Sequence, residues 1–462
     1  MTDFTIILRS LRARLFSTLT TIATVAVAVA LILVLLTMRN SGQRAFERGS
    51  GDMHLLVSGD ASPLVAVLNG VFYANPPRRP IPWDRFEQLQ SQAPWAYCVP
   101  TAIGDSFRGM PVVATTPDMF TRFKPVIGEP WTLADGRFLA SDFEVVVGSS
   151  AARVAGLHVG DTVFLTHGFP RGGGPMVGDV RHEHDEHAAA EDTRDEHDEH
   201  GEAEHAEGAA HLHRQFGCKV VGILAPTYSP HDRALFVSLN TSWILHAHDR
   251  REREGVFKDP ATPHTTTAAD LTGADRKITG AYLRLEGREN GDAPANLPQV
   301  FDMLRKDTSL TVAQPSQEVA TLFRIVDSIN RLFLAVAGVV MVASAVSIML
   351  ALYNSMEQRR RQIAVMRVLG ASAGRIFALV LTESAVIGLC GAALGAALAF
   401  GGAYGARGIL RDRLGLIIEP AFSPQDILGV VLVTLVLACL AGLVPAAVGY
   451  RVSVARSLRT IA

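Results

Sequence analysis

Cysteine is scarce in this chain: four in 462 residues, too few to staple a disulfide scaffold, so a hydrophobic core or a bilayer must do the organising. Charge is scarce as well. Asp, Glu, Lys and Arg make up 19% of the residues, against a usual share of about 25%. The 43 basic residues nearly cancel the 45 acidic ones, which leaves no global basic field to hold nucleic acid. No G-x-x-x-x-G-K-[ST] phosphate loop occurs, so the chain does not hydrolyse ATP by that route. Scattered Ser, His and Asp residues form no recognisable catalytic set, and no covalently bound cofactor is expected.

What the chain has is apolar length: 48% hydrophobic residues, too many for a disordered chain and concentrated towards its two ends. A helix needs about 20 apolar residues to cross a hydrocarbon core of about 30 Å. Four segments qualify, at 15–38, 332–353, 376–403 and 427–448. Lipid offers the backbone no hydrogen-bond partners, so each must be a helix. The first is longer than the apolar part of a signal peptide, about 7 to 15 residues, and reads as an uncleaved anchor.

Lys and Arg set the orientation. Arg9, Arg12 and Arg14 precede the first span, Arg359, Arg360, Arg361, Arg367 and Arg375 lie between the second and third, and Arg451, Arg456 and Arg459 follow the fourth. These three segments are expected in the cytoplasm, with both termini. The expected plan is then a cytoplasmic 1–14, the first span, an extracytoplasmic domain at 39–315, a stalk helix at 316–331, the second span, a cytoplasmic loop at 354–375, the third span, a short outer loop at 404–426, the fourth span and a cytoplasmic 449–462.

Within the outer domain, β-rich runs at Met110 to Thr115, Glu144 to Val147, Thr162 to Thr166, Cys218 to Leu224, Ala234 to Ser238 and Gly280 to Leu285 alternate with helical patterns at Pro82 to Gln92, Ser149 to Ala155 and Leu297 to Arg305. The fold class expected is a membrane protein of four transmembrane α-helices with a large α+β domain between the first and second. Gly156 to Asp161 reads as turn chemistry. Cys98 and Cys218 share the oxidising compartment, where a bridge can form if the Cα distance fits. From Pro315-Ser316 onward, Val319, Leu322, Phe323, Val326, Ile329, Leu332 and Phe333 make one apolar stripe on a helix expected to run unbroken into the bilayer.

The loop at 354–375 is more informative than a generic basic loop. Ile363, Met366, Val368 and Leu369 give a narrow apolar face among Arg359, Arg360, Arg361 and Arg367, and Gly370 ends the helix. Such a helix docks in a partner's groove or lies on anionic lipid. Glu357 to Ser372 resembles the "ERRREIAVMRALGAS" segment of FtsX-like ABC permeases, the group that includes MacB, LolC and LolE. Arg9 to Leu19 resembles the family's N-terminal lead-in, and Gly442 to Ala446 through Leu458-Arg459 its closing motif, with Val454 where the family has Pro and Arg456 where it has an acid. Thr116-Pro117-Asp118, Asp135 to Phe138 and Glu144 to Asp161 resemble its MacB-type periplasmic domain.

The resemblance implies a homodimeric permease of a bacterial inner membrane that couples to a separate cytoplasmic ABC ATPase, where the ATP binds. Glu357, Arg359, Arg360, Arg361, Ile363, Met366, Arg367, Leu369 and Gly370 would form the coupling element, with a periplasmic adaptor or substrate protein as a further partner. Gly391-x-x-x-Gly395 in the third span favours close helix approach, and the intramembrane acid Glu383 is expected to make a structural polar contact.

An insertion at 168–215 carries eight of the chain's 15 histidines, His182, His184, His187, His197, His200, His205, His211 and His213, interleaved with carboxylates. Imidazole and carboxylate suit zinc, and the composition argues for disorder without metal. The irregular spacing predicts several exchangeable sites of modest affinity. The alternative is a solvated spacer. The function expected is an ABC permease of the mechanotransmission type with a zinc-linked task. Lipoprotein release, export of a small toxic compound, and a membrane-anchored metal sensor or scaffold are the alternatives.

Overall fold

The computed structural model describes residues 12, 14–168, 212–258, 264–287, 294–414 and 422–450. In chain order these form α1 (Leu15–Gly49), β1 (Leu55–Ser58), α2 (Pro63–Gly70), β2 (Ile81–Pro82), α3 (Trp83–Ser91), β3 (Trp95–Phe107), β4 (Met110–Thr115), β5 (Leu133–Gly136), β6 (Glu144–Val147), α4 (Ser149–Ala155), β7 (Thr162–His167), β8 (Leu212–Leu224), β9 (Leu235–Ser238) and α5 (Leu239–Arg253). There follow β10 (Lys277–Ile278), β11 (Gly280–Leu285), α6 (Leu297–Arg305), β12 (Thr311–Ala313), α7 (Pro315–Val368), α8 (Ala373–Leu414) and α9 (Pro424–Tyr450). The chain divides into a helical unit and a strand-rich unit, Phe46–Val319.

In the helical unit, four helices are long and apolar enough to cross a membrane: Leu15–Gly49, Pro315–Met356, Ala373–Gly405 and Pro424–Tyr450. Val25, Val29, Leu33, Met341, Ile348, Ile387, Ala399 and Ala438 form their common core. Val27, Leu31, Val339, Leu398 and Val436 face outward, as expected of helices solvated by lipid. Two boundaries differ from the sequence expectation. Helix α7 continues to Val368 with no separate coupling helix, because nothing between Tyr353 and Leu369 breaks a helix. It stops where Gly370 takes φ +98°. Helix α8 likewise absorbs residues 404–414, expected as loop.

In the strand-rich unit, the described residues form a ten-stranded sheet in the order β12-β1-β11-β3-β4-β9-β6-β8-β5, with β7 pairing both β3 and β8. The pairings β3-β4-β9-β6-β8-β7-β3 therefore close a ring of six strands. Two of its pairings, β4 with β9 and β6 with β8, are parallel. Alternate residues Met110, Val112, Val145, Val147, Val163, Leu165, Cys218, Val220, Leu235 and Val237 share one core, as the two-residue period of a strand requires. Closure is narrow at one seam. Strands β3 and β7 meet only through Asp105 opposite His167 and Ser106 opposite Thr166. Cys98 and Cys218 are free, buried thiols and not a bridge; burial pushes both up to about 12.

A second core holds His231, fully buried against Phe123 and Trp131 at ring-centroid distances of 5.8 and 5.7 Å. The Tyr73 hydroxyl lies 2.6 Å from its Nδ1, and its Nε2 lies 3.2 Å from the Gly49 carbonyl oxygen. Burial pulls this imidazole down to about 4, outweighing the opposing hydrogen bond to Gly49. It is neutral at pH 7, accepting from Tyr73 and donating to Gly49.

Candidate functional site

The coupling segment is the last turns of α7. Ile363 is buried against Met356, Ile376, Val380 and Ala446, with Met366 packed on the same cluster. The apolar face expected from the sequence is thus divided: Ile363 and Met366 belong to the bundle, while Val365, Val368 and Leu369 are exposed, Leu369 by 81%. Residues 365, 368 and 369 stand three and four apart, so they line one stripe. The side chains of Glu357, Arg359, Arg360 and Arg361 lie outside the described residues; Arg367 is half-buried. The string Gly370-Ala371-Ser372-Ala373-Gly374 has the letters of a nucleophile elbow, but no strand leads into it. Ser372 instead caps α8, its hydroxyl accepting from the Arg375 amide at 3.2 Å.

Helix α8 carries the glycine pair. A Cβ on Gly391 would come 2.5 Å from Val25 Cγ1, and one on Gly395 2.6 Å from the Ala26 carbonyl oxygen. These glycines let the third span reach the backbone of the first. Gly388 does the same towards Ala438 of α9, at 2.5 Å. Glu383 is half-buried on α8.

A different cluster occupies the β3–β7 seam. Strand β3 shifts register between Ile103 and Asp105, and a bulge of this kind re-aims the side chain that follows it. Asp105 Oδ1 receives His167 Nδ1–H at 2.6 Å, and His167 Nε2–H donates to the Asp249 carboxylate. His246 Nε2 lies 3.5 Å from Asp105 Oδ2, and Ser242 donates to the same oxygen at 3.3 Å. Ser242, His246 and Asp249 sit four and three apart on α5, so one helix face supplies all three. Burial alone would lower His167, but Asp105 and Asp249 outweigh it and lift its imidazolium to about 9. Burial would raise Asp105, but its bonds to His167 and His246 hold it well below the carboxylate range.

The comparisons with known proteins match both halves of the chain. The FtsX-like permease C-terminal family covers residues 334–454, and the MacB-like periplasmic core domain covers residues 18–276, more than half of the chain. The chain is an FtsX-like permease with a MacB-like periplasmic core domain. The periplasmic region of MacB from Actinobacillus actinomycetemcomitans is similar to the permease at 10% identity over 59% of this chain and 94% of that one, with a TM-score of 0.28. No curated protein sequence matches the permease. It is an ABC transporter permease of the MacB and FtsX type, a multi-pass membrane protein with a large extracytoplasmic α+β domain between its first and second spanning helices. Permeases of this family pair with ABC ATPases, which hydrolyse the ATP.

Of the permease's clustered histidines, His182, His184, His187, His197, His200, His205 and His211 lie outside the described residues. His213 falls in strand β8, because Leu212 pairs with Thr166 and extends the β7–β8 hairpin back to the foot of the insertion; its side chain lies outside the described residues. Sequence reasoning missed Asp105, His167, His246 and Asp249. They are spread over more than a hundred residues, with no motif spacing to join them.

Proposed function

We propose that the permease works by mechanotransmission, passing nucleotide-driven movement of a cytoplasmic ABC ATPase to its extracytoplasmic domain. The observation that carries this reading is the unbroken helix from Pro315 to Val368. It begins directly after strand β12 and ends at the exposed stripe of Val365, Val368 and Leu369. A rigid element with two packed arrangements can carry displacement along its length. By the positive-inside rule the arginines at 359–361 and 367 favour a cytoplasmic stripe, with both termini on the same side, where a hydrophobic groove on the ATPase would receive it. Ile325, Val326, Ile329 and Phe333 are also exposed in the single chain, and a second copy of the permease is their proposed cover.

Joint replacement of Val368 and Leu369 by Asp should abolish the permease's stimulation of ATP hydrolysis while leaving its folding unchanged. Met366→Asp should instead destabilise the bundle, since Met366 packs inside it. Undiminished stimulation in a folded Val368→Asp, Leu369→Asp permease would falsify the coupling assignment.

The histidine-rich insertion adds a zinc-linked task to this reading. Eight imidazoles interleaved with carboxylates form exchangeable ligand sets, each requiring neutral imidazole. Calorimetry with and without residues 181–211, which leaves strand β8 intact, should show loss of most zinc equivalents; coincident isotherms would reject it.

A further inference from the structure

We propose that Asp105, His167 and His246 form a zinc-type divalent metal site in the extracytoplasmic domain, with Asp249 orienting His167 from behind. One carboxylate oxygen and one nitrogen from each imidazole lie within 4.8 Å of one another. Tetrahedral zinc with bonds of about 2.0 to 2.1 Å separates its ligands by about 3.3 Å. Asp105 Oδ2 and His246 Nε2 already stand 3.5 Å apart. Asp105 Oδ1, the other carboxylate oxygen, stands 2.6 Å from His167 Nδ1 and must part from it by about 0.7 Å to reach that separation, so the carboxylate faces one imidazole with each oxygen and the metal takes the place of the shared proton.

The surrounding groups fit that ion. With Nδ1 on the metal, His167 keeps its Nε2–H bond to the Asp249 carboxylate, the carboxylate–histidine–metal arrangement that fixes a ligand's ring and tautomer. Two imidazoles with one carboxylate are a borderline donor set, suited to zinc and not to magnesium or calcium. Three protein ligands leave a fourth position. Here His246 is 47% exposed, and a cavity of about 600 Å³ bounded by Gly104, His167, His246, Asp249 and Glu252 adjoins the cluster. The ion would therefore be exchangeable.

Placement gives the site its consequence. Asp105 opposite His167 is half of the two-pair seam that closes the strand ring, and His246 ties that seam to α5. Metal would lock the closure. His167 is also the last residue of β7, where the histidine-rich insertion departs. The site contains only residues outside that insertion and stands whether or not the insertion binds metal.

The test uses the detergent-solubilised full chain with residues 169–211 replaced by a short Gly-Ser turn joining β7 to β8, so that a failure of the insertion to bind zinc and a failure of this site are separate results. Zinc chloride titrated into this protein should bind at one equivalent per chain and raise its unfolding midpoint. His246→Ala, at a half-exposed position, should keep the metal-free midpoint and bind zinc at least tenfold more weakly. Asp249→Asn should also weaken binding, by about tenfold or more. Absence of zinc binding in the shortened chain, or an affinity in both variants unchanged from that of the shortened parent, overturns the site.

Discussion

Replacing Gly391 and Gly395 together by leucine should collapse the packing of the third spanning helix on the first and lower the unfolding midpoint of the permease more than any other substitution in the bundle. Even a single Cβ at these positions comes within 2.5 to 2.7 Å of Val25, Ala26 or Val29, and the obstacle at Gly395 includes backbone, which cannot rotate away. Overpacking of this kind costs about 1–3 kcal/mol per site, and two sites on one interface couple instead of adding simply. Gly402, on the same helix α8, faces open space: a Cβ there would meet nothing within 4 Å. Leucine there should leave the midpoint unchanged or raise it, since glycine in a helix interior costs about 1 kcal/mol relative to a good helix former. The contrast is the measurement: equal midpoints for the Gly391, Gly395 double variant and the Gly402 variant would mean that the first and third helices do not meet at these glycines.

Acidification should weaken the extracytoplasmic domain well before its carboxylates titrate, and His231 should be the principal cause. In the unfolded chain this imidazole takes a proton near 6.5, whereas in the folded domain burial lowers it to about 4. Between those values the unfolded state holds the extra proton. Its contribution is therefore fully present above pH 6.5 and is lost as pH falls towards 4. A shift of that size corresponds to roughly 3 kcal/mol. His54, lowered chiefly by burial, acts in the same direction. Asp232, whose carboxyl burial raises, opposes it at lower pH.

His231→Leu removes this dependence at a cost. It leaves the Tyr73 hydroxyl and the Gly49 carbonyl without their partner, about 1–3 kcal/mol for each buried group stranded. The variant should melt lower than the parent at pH 7.5, and the difference should shrink as pH falls to 4.5. Parallel midpoint curves for the two proteins across that range would show that His231 is not the sensor.

Much of the architecture was legible from residues alone. Runs of about 20 apolar residues have one solution in lipid, so the four spans followed from composition. Met110–Thr115, Ser149–Ala155, Gly280–Leu285 and Leu297–Arg305 form where their local patterns put them, because each pattern agrees with the burial its element receives. Gly156 takes φ +66° at the end of α4, and Asp161 accepts from the His158 amide at 2.8 Å, so that turn was written in the sequence. Helix α5 and strand β3 were not. In α5, Leu239–Arg253, polar and basic residues dilute the apolar face, and in β3 the run is interrupted by Pro100 and Gly104. Packing against the sheet overrode weak local preference in both. The Ser238 hydroxyl accepting from the Thr241 amide at 3.1 Å was the one local cue to α5.

The sequence by itself determined that this chain crosses a bilayer, that it carries a large domain between its first two spans, and which segments resemble an ABC permease. These are properties of composition and short spacing. Tertiary structure alone decided that Met366 packs inward while Leu369 stays exposed, that Gly391 and Gly395 press on the first helix, and that Asp105 meets His167 and His246. Each of these depends on which strand closes on which and which helix face turns inward, and side chains far apart along the chain become neighbours only when that pairing is made.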